Sequence, residues 1–114
     1  MKHTVSLKQN HEFRRLYNRG ATAVTGTMAL YCRKNRLGVS RLGLTTGVKL
    51  GGAVVRNRIR RRLREIYRTN EDKLGRGWDL VIVARKRAAF ASYAEMERGF
   101  LSLAGKLGIL EERG

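Results

Sequence analysis

A chain of 114 residues and 12.9 kDa, 42% hydrophobic, is one domain of ordinary size with enough apolar side chain for a modest core, which excludes wholesale disorder. Twenty-five Lys and Arg oppose nine Asp and Glu, and the net charge of +16 points to an anionic partner. The lone Cys32 excludes an internal disulfide and, with only His3 and His11 beside it, a zinc site; no apolar run reaches the length of a membrane span.

The start, MKHTVSLKQNHEF, has no apolar stretch of the signal-peptide kind, so the reading is a soluble, cytoplasmic protein with no membrane partner. Proline, repeats and low-complexity linkers are absent, which leaves one domain over 1–114. The spacing predicts a first helix over 10–19. Asn10 is its cap, Gly20 its left-handed closing residue, and Phe13, Leu16 and Tyr17 share a face. ATAVT and TMALYCR follow as strands. In the second, Met28, Leu30 and Cys32 alternate with Ala29, Tyr31 and Arg33, so Tyr31 faces away from Leu30. KNRLGVS reads as a turn and RLGLTT as a third strand.

The segment RNRIRRRLREIYR, residues 56–68, holds six arginines in its first nine positions. It resolves into helical faces. Val55, Ile59, Leu63 and Ile66 form an apolar stripe, while Asn57, Arg61, Arg64 and Arg68 lie opposite it. Arg58 and Arg62 flank one border of the stripe and Arg60 the other. A membrane-surface helix would carry Trp or Phe anchors on the apolar side, and this one has none. Upstream, VKLGGAV places Gly51, Gly52 and Lys49 before the helix start, an arrangement that suits phosphate but is weak alone. GLTTGVK has the wrong glycine-to-lysine spacing for a nucleotide loop, and no Ser or Thr follows Lys49, so nucleotide binding is rejected. GWDLVIVAR, apolar on both faces, predicts a covered central strand. SYAE opens a last helix with capping-box spacing at Ser92 and Glu95. Met96, Phe100, Leu103 and Leu107 form its core stripe, and Gly108 ends it.

The charge is unevenly placed. Fourteen basic residues and no acid lie between Phe13 and Arg64, whereas residues 65–114 carry nine basic and eight acidic groups. A surface basic for solubility alone would intersperse signs. A polyanion on one side explains the asymmetry, and with eighteen of the basic residues Arg, phosphate is favoured because guanidinium binds it through paired hydrogen bonds. Two-metal nuclease chemistry needs clustered carboxylates, which the basic stretch lacks; His3 and His11 have no third group to orient them. No catalytic and no metal-ligating residue is assigned. By charge alone a ribosomal or general nucleic-acid-binding protein fits as well as a subunit of a processing enzyme.

Over nearly its whole length the chain resembles the protein subunit of bacterial ribonuclease P, in FRRLYNRG, LYCRKN, RLGLTTGVKLGGAVVRNRIRR and DLVIVAR taken in that order. The resemblance implies an α/β fold (two-layer α+β) in the order α-β-β-β-α-β-α. Its four-stranded mixed sheet is that of a ribosomal-protein-like domain with a left-handed βαβ crossover. It implies a catalytic RNA subunit and precursor tRNA as partners, with no protein partner required. The activity it implies is Mg²⁺-dependent endonucleolytic removal of the 5′ leader, with the Mg²⁺ expected to be bound mainly by the RNA subunit and substrate. Lys49, Arg56, Asn57, Arg58, Arg60, Arg61, Arg64 and Arg68 are thereby expected to contact the RNA subunit, and Phe13, Tyr17 and Tyr31 the single-stranded leader. By spacing alone Phe13 and Tyr17 read more simply as core; Tyr31, a polar-tipped ring in an apolar alternation, is the more suggestive of the three.

Overall fold

The centre of the molecule is the strand Trp78–Ala84, in which Leu80, Val81 and Ile82 are all buried, as a strand covered on both faces requires. The structure, a computed structural model, describes residues 1–111. In chain order its elements are β1 (Thr4–Ser6), α1 (Asn10–Arg19), β2 (Ala21–Val24), β3 (Met28–Lys34), β4 (Ser40–Thr45), α2 (Ala53–Asn70), β5 (Trp78–Ala84) and α3 (Tyr93–Lys106). Short 3-10 turns lie at Val48–Leu50, Glu71–Lys73 and Lys86–Ala89. The mixed sheet has the order β1-β4-β5-β3-β2, with β1, β4 and β5 parallel and β3 antiparallel to both its neighbours.

The sheet has five strands rather than the four expected. The additional one is β1, three residues without a usable alternation, and it exists because distant groups hold it. The buried carboxylate of Glu71, just past the end of α2, accepts from the Lys2 and His3 amides at 2.6 and 3.1 Å and from Thr4 Oγ1 at 2.5 Å. Tyr67 adds a hydroxyl contact to Thr4 at 2.8 Å.

Two helices, α2 and α3, cover one face over a core that includes Leu30, Leu42, Ile59, Leu63, Ile66, Leu80, Ile82, Met96, Phe100 and Leu103. These are the two expected layers. α1 adds a partial cover on the other face, where Leu16 packs with Leu7 and Val81, flanked by Phe13, Tyr31 and Val83. The arginine helix follows the faces read from its spacing: Ile59, Leu63 and Ile66 are fully buried and Val55 is half-buried. Burying each such side chain contributes about 1.5–3 kcal/mol. A like-charge pair one turn apart costs about 0.2–0.5 kcal/mol, so the stripe outweighs the repulsion among the arginines. Asn70 closes α2 by donating to Ile66 O at 2.8 Å and to Glu97 of α3 at 2.9 Å.

The caps divide. Ser92 Oγ accepts the Glu95 amide at 3.1 Å, and Gly108 takes φ +74°, both as the sequence implies. At α1 the cap position is Gln9, without a side-chain bond, and Asn10 is already helical. Gly20 is not left-handed but extended (φ −76°, ψ 156°); it is glycine because a Cβ there would meet Leu16 O at 2.6 Å.

The β4–α2–β5 connection is left-handed, which follows from the chirality of one residue. Viewed from the α2 side with β4 running upward, an L-residue whose side chain points at the viewer directs its N–H and C=O to the right. Leu42 buries its side chain on that side, and its C=O accepts the Leu7 amide at 2.9 Å beside β1. So β1 lies to the right of β4 and β5 to its left, and a chain that crosses in front from β4 to β5 winds left-handed, against the usual preference.

Candidate nucleic-acid interface

Because the stripe pins one side of α2 to the sheet, its arginines are sorted by where the helix lets them reach. On the border toward α3, Arg58 Nη2 donates to Ala89 O at 3.1 Å and Arg62 Nη1 to Ala91 O at 3.3 Å. On the border toward β4, Arg60 Nη2 donates to Thr46 Oγ1 at 2.7 Å. Asn57, Arg61, Arg64 and Arg68 are exposed on the outward face. Arg68 is paired with Glu65 at 2.5 and 3.0 Å, and that bond holds the Glu65 carboxyl below its ordinary range. Arg61 and Arg64 make no hydrogen bond or ion pair among the described residues. Arg56 is half-buried, with its Nε lacking a partner. Lys49 stands apart from this face, in the turn before α2, beside a hollow of about 630 Å³ lined by Val48, Arg85 and Lys86.

The aromatic residues meet on the other face of the sheet. Phe13 and Tyr17, one turn apart on α1, have ring centroids 6.5 Å apart, and Tyr17 meets Tyr31 edge-on at 5.0 Å. Tyr17 is 39% exposed, and its hydroxyl is 3.0 Å from Thr45 Oγ1. A groove of about 480 Å³ runs between α1 and β4, lined by Asn10, Phe13, Arg14, Tyr17, Thr45 and Arg60 among others. Tyr31 does not line it; it stands half-buried behind Tyr17. A smaller hollow of about 210 Å³ shares Phe13, Leu44 and Arg60 with the groove and continues to Arg64. The groove and the arginine face therefore join around the edge of β4, which β1 leaves open beyond Leu42. Asn10, Arg14 and Thr46 belong to this site and escaped the sequence reading, because a groove lining drawn from α1 and the end of β4 has no local period.

The acidic groups have other employment. Arg41 on β4 binds Asp79 through Nε at 2.9 Å and Nη2 at 2.7 Å, and reaches Glu12 of α1 with Nη1. Burial opposes ionisation of Asp79, but the hydrogen bonds from Arg41 and Asn35 outweigh it and hold the carboxyl below its usual range. Glu71 is likewise lowered: burial opposes its charge, and the bonds from Thr4, Lys2 and His3 prevail. These carboxylates do not fit a Mg²⁺ site, since their oxygens already face cationic or N–H and O–H donors. No three His, Cys, Asp or Glu side chains among the described residues are grouped to hold a metal. His3 meets Arg76 at 2.9 Å, whereas His11 is exposed on α1.

The family model described as Ribonuclease P matches residues 1–108. The chain belongs to the ribonuclease P protein family. It is 38% identical over 112 residues to the ribonuclease P protein component of Natranaerobius thermophilus, covering 98% of this chain and 97% of that one. The Clostridium kluyveri protein component is 41% identical over 105 residues, covering 90% and 94%. Among solved structures, the Thermotoga maritima RNase P protein superposes with a TM-score of 0.79 at 26% identity, covering 94% and 98%. The Staphylococcus aureus RNase P protein shares the fold with a TM-score of 0.85 at 24% identity, covering 93% and 97%. As a ribonuclease P protein component, this chain is a subunit of a tRNA-processing ribonucleoprotein. No helix among the described residues is long and apolar enough to cross a membrane.

Proposed function

We propose that this subunit binds the catalytic RNA of ribonuclease P through the arginine face of α2 and holds the single-stranded 5′ leader of precursor tRNA in the groove between α1 and β4. The observation that carries the reading is the junction at Arg60: a guanidinium-rich helix face and an aromatic groove share that residue around an open strand edge. Phosphates pair with guanidinium groups and unstacked bases lie on aromatic faces, so one strand can run from groove to helix without crossing an acidic surface. Arg61 and Arg64, exposed and without partners among the described residues, are available to the RNA backbone. Arg56, Asn57, Arg58 and Arg60 lie on the same helix, and Lys49 extends the basic surface past its start.

Cleavage in this reading is the work of the RNA subunit, with Mg²⁺ held by that RNA and the substrate. This chain supplies binding, orientation and charge. Its action is to favour the precursor over the mature tRNA, because only the precursor has a leader to place in the groove. The test compares precursors with long and very short leaders, using the parent and Tyr17→Ala proteins assembled with the RNA subunit. The variant is expected to join the RNA normally and to treat the two substrates nearly alike. An undiminished preference for the long leader in that variant would remove the groove from the leader path.

A further inference from the structure

We propose that Phe90 is a stacking platform for an unpaired nucleobase of the RNA subunit, placed on the margin of α2 opposite the aromatic groove. The inference rests on the reading of α2 as the RNA-facing helix. Phe90 is 90% exposed, more than any other large hydrophobic side chain among the described residues. Its position is nevertheless fixed. Arg58 binds the carbonyl of Ala89, and Arg62, one turn along α2, binds the carbonyl of Ala91, so guanidinium groups fasten the backbone immediately before and after the ring. The Phe90 amide in turn donates to Arg87 O at 3.0 Å. Val54, 81% exposed, lies one turn before Arg58 and continues the same line on the helix.

The surroundings define the chemistry of the occupant. Residues 48–64 and 85–94 contain no Asp or Glu, and Lys49 and Lys86 make no hydrogen bond or ion pair among the described residues. A partner must therefore be anionic and offer a flat apolar face. A single-stranded nucleotide has both, and each bracketing arginine keeps donors free for its phosphates, since guanidinium has five. A lipid surface would need a continuous apolar helix face, and the apolar stripe of α2 is buried under the sheet. Phe90 and Arg60 lie on opposite borders of α2, so an RNA engaging both would straddle the helix and be fixed in rotation about its axis.

The experiment titrates the RNA subunit with the parent protein and with Phe90→Ala, Phe90→Leu and Phe90→Trp at several salt concentrations, beside Arg61→Ala/Arg64→Ala as reference. At its exposure Phe90 is not needed for folding, and matching thermal unfolding curves verify this. Phe90→Ala is expected to lose about 5- to 150-fold in affinity, the range of one stacked base. Its slope of log affinity against log salt should be unchanged because no charge is removed. Phe90→Trp should bind like the parent, and Phe90→Leu should be as weak as Ala. Parent-like affinity in Phe90→Ala, with the arginine variant weakened, overturns the platform and leaves the α2 reading standing. Unchanged affinity in both overturns the two together. Full binding by Phe90→Leu overturns stacking in favour of plain apolar contact. Self-association of the parent that Phe90→Ala abolishes, seen by sedimentation without RNA, overturns it in favour of a second copy of this chain.

Discussion

Phe13 rests directly against the backbone of Gly43. A Cβ added to that glycine would stand 2.5 Å from the ring's Cζ, closer than any packed pair tolerates. The ring that heads the groove is thus seated on β4 by the missing side chain of its neighbour. Gly43→Ala should displace Phe13 and destabilise the protein by about 1–3 kcal/mol, the usual cost of overpacking. In a Phe13→Ala background most of that cost should vanish. A double-mutant cycle in chemical denaturation measures it, and strict additivity would mean the two residues do not share the strain.

Arg61 and Arg64 project away from the apolar stripe and have no protein partner among the described residues, so replacing either with Ala should leave unfolding curves unchanged. Each should lower the slope of log affinity for the RNA subunit against log salt by roughly 0.7 to 0.9. Arg68 is already paired with Glu65, and Arg68→Ala should change the slope less. Equal slopes in all three variants and the parent would take this face out of the interface.

Tyr31 and Tyr17 separate packing from contact. Tyr17 lines the groove, while Tyr31 supports its ring edge-on. Tyr17→Phe should retain the leader preference, and Tyr17→Ala should lose it several-fold to about a hundred-fold, as one stacked base would dictate. Tyr31→Ala should lose part of the preference together with stability. The comparison of leader-length discrimination with thermal unfolding distinguishes the two roles.

Asp79 and Glu71 both have folded-state carboxyls held below their ordinary values of 3.8 and 4.5. A lowered folded pKa contributes stability that is present above the unfolded value and is lost as pH falls through the folded one. Denaturation midpoints should therefore be flat from neutral pH to about 5 and fall below it. Asp79→Asn and Glu71→Gln should be destabilised at pH 7 and approach the parent as pH drops. Parallel curves at all pH values would show that neither carboxyl drives the acid limb.

Glu12 and Asp79 hold α1 to the sheet through Arg41 and should matter for stability rather than for the chemical step. In assembled enzyme at saturating Mg²⁺, Glu12→Ala and Asp79→Ala variants that still fold should reduce single-turnover cleavage by far less than the factor of about 100 expected of a positioned acid or base. A larger loss would place a carboxylate of this chain at the reacting phosphate.

Local periodicity made much of this legible. The faces of α2, the covered character of β5 and the Ser92 cap are written within a few turns or strand residues, and the structure has each of them as the spacing predicts. β1 is not, because it is three residues long and everything that holds it, the β4 backbone and the side chains of Tyr67 and Glu71, lies far along the chain. The Arg41 network escaped for the same reason: Glu12 and Asp79 are meaningful only once α1 lies across the sheet. At Gly20 the commonest reason for a glycine after a helix, a left-handed closing turn, does not apply, and its actual reason is the approach of Leu16 O. Phe90 carried no signal, since an isolated aromatic near a strand end usually packs inward.

The fastening of residues 2–4 by Glu71 also sets an order on biosynthesis. The segment that becomes β1 leaves the ribosome well before its carboxylate partner, which lies 69 residues behind Lys2. At roughly 5–20 residues per second the edge strand waits several seconds for the group that seats it, and Leu7 beside it stays wet over that interval. Until Glu71 follows, residues 2–4 are untethered, and Lys2 and Lys8 can meet RNA before the sheet has an edge to close.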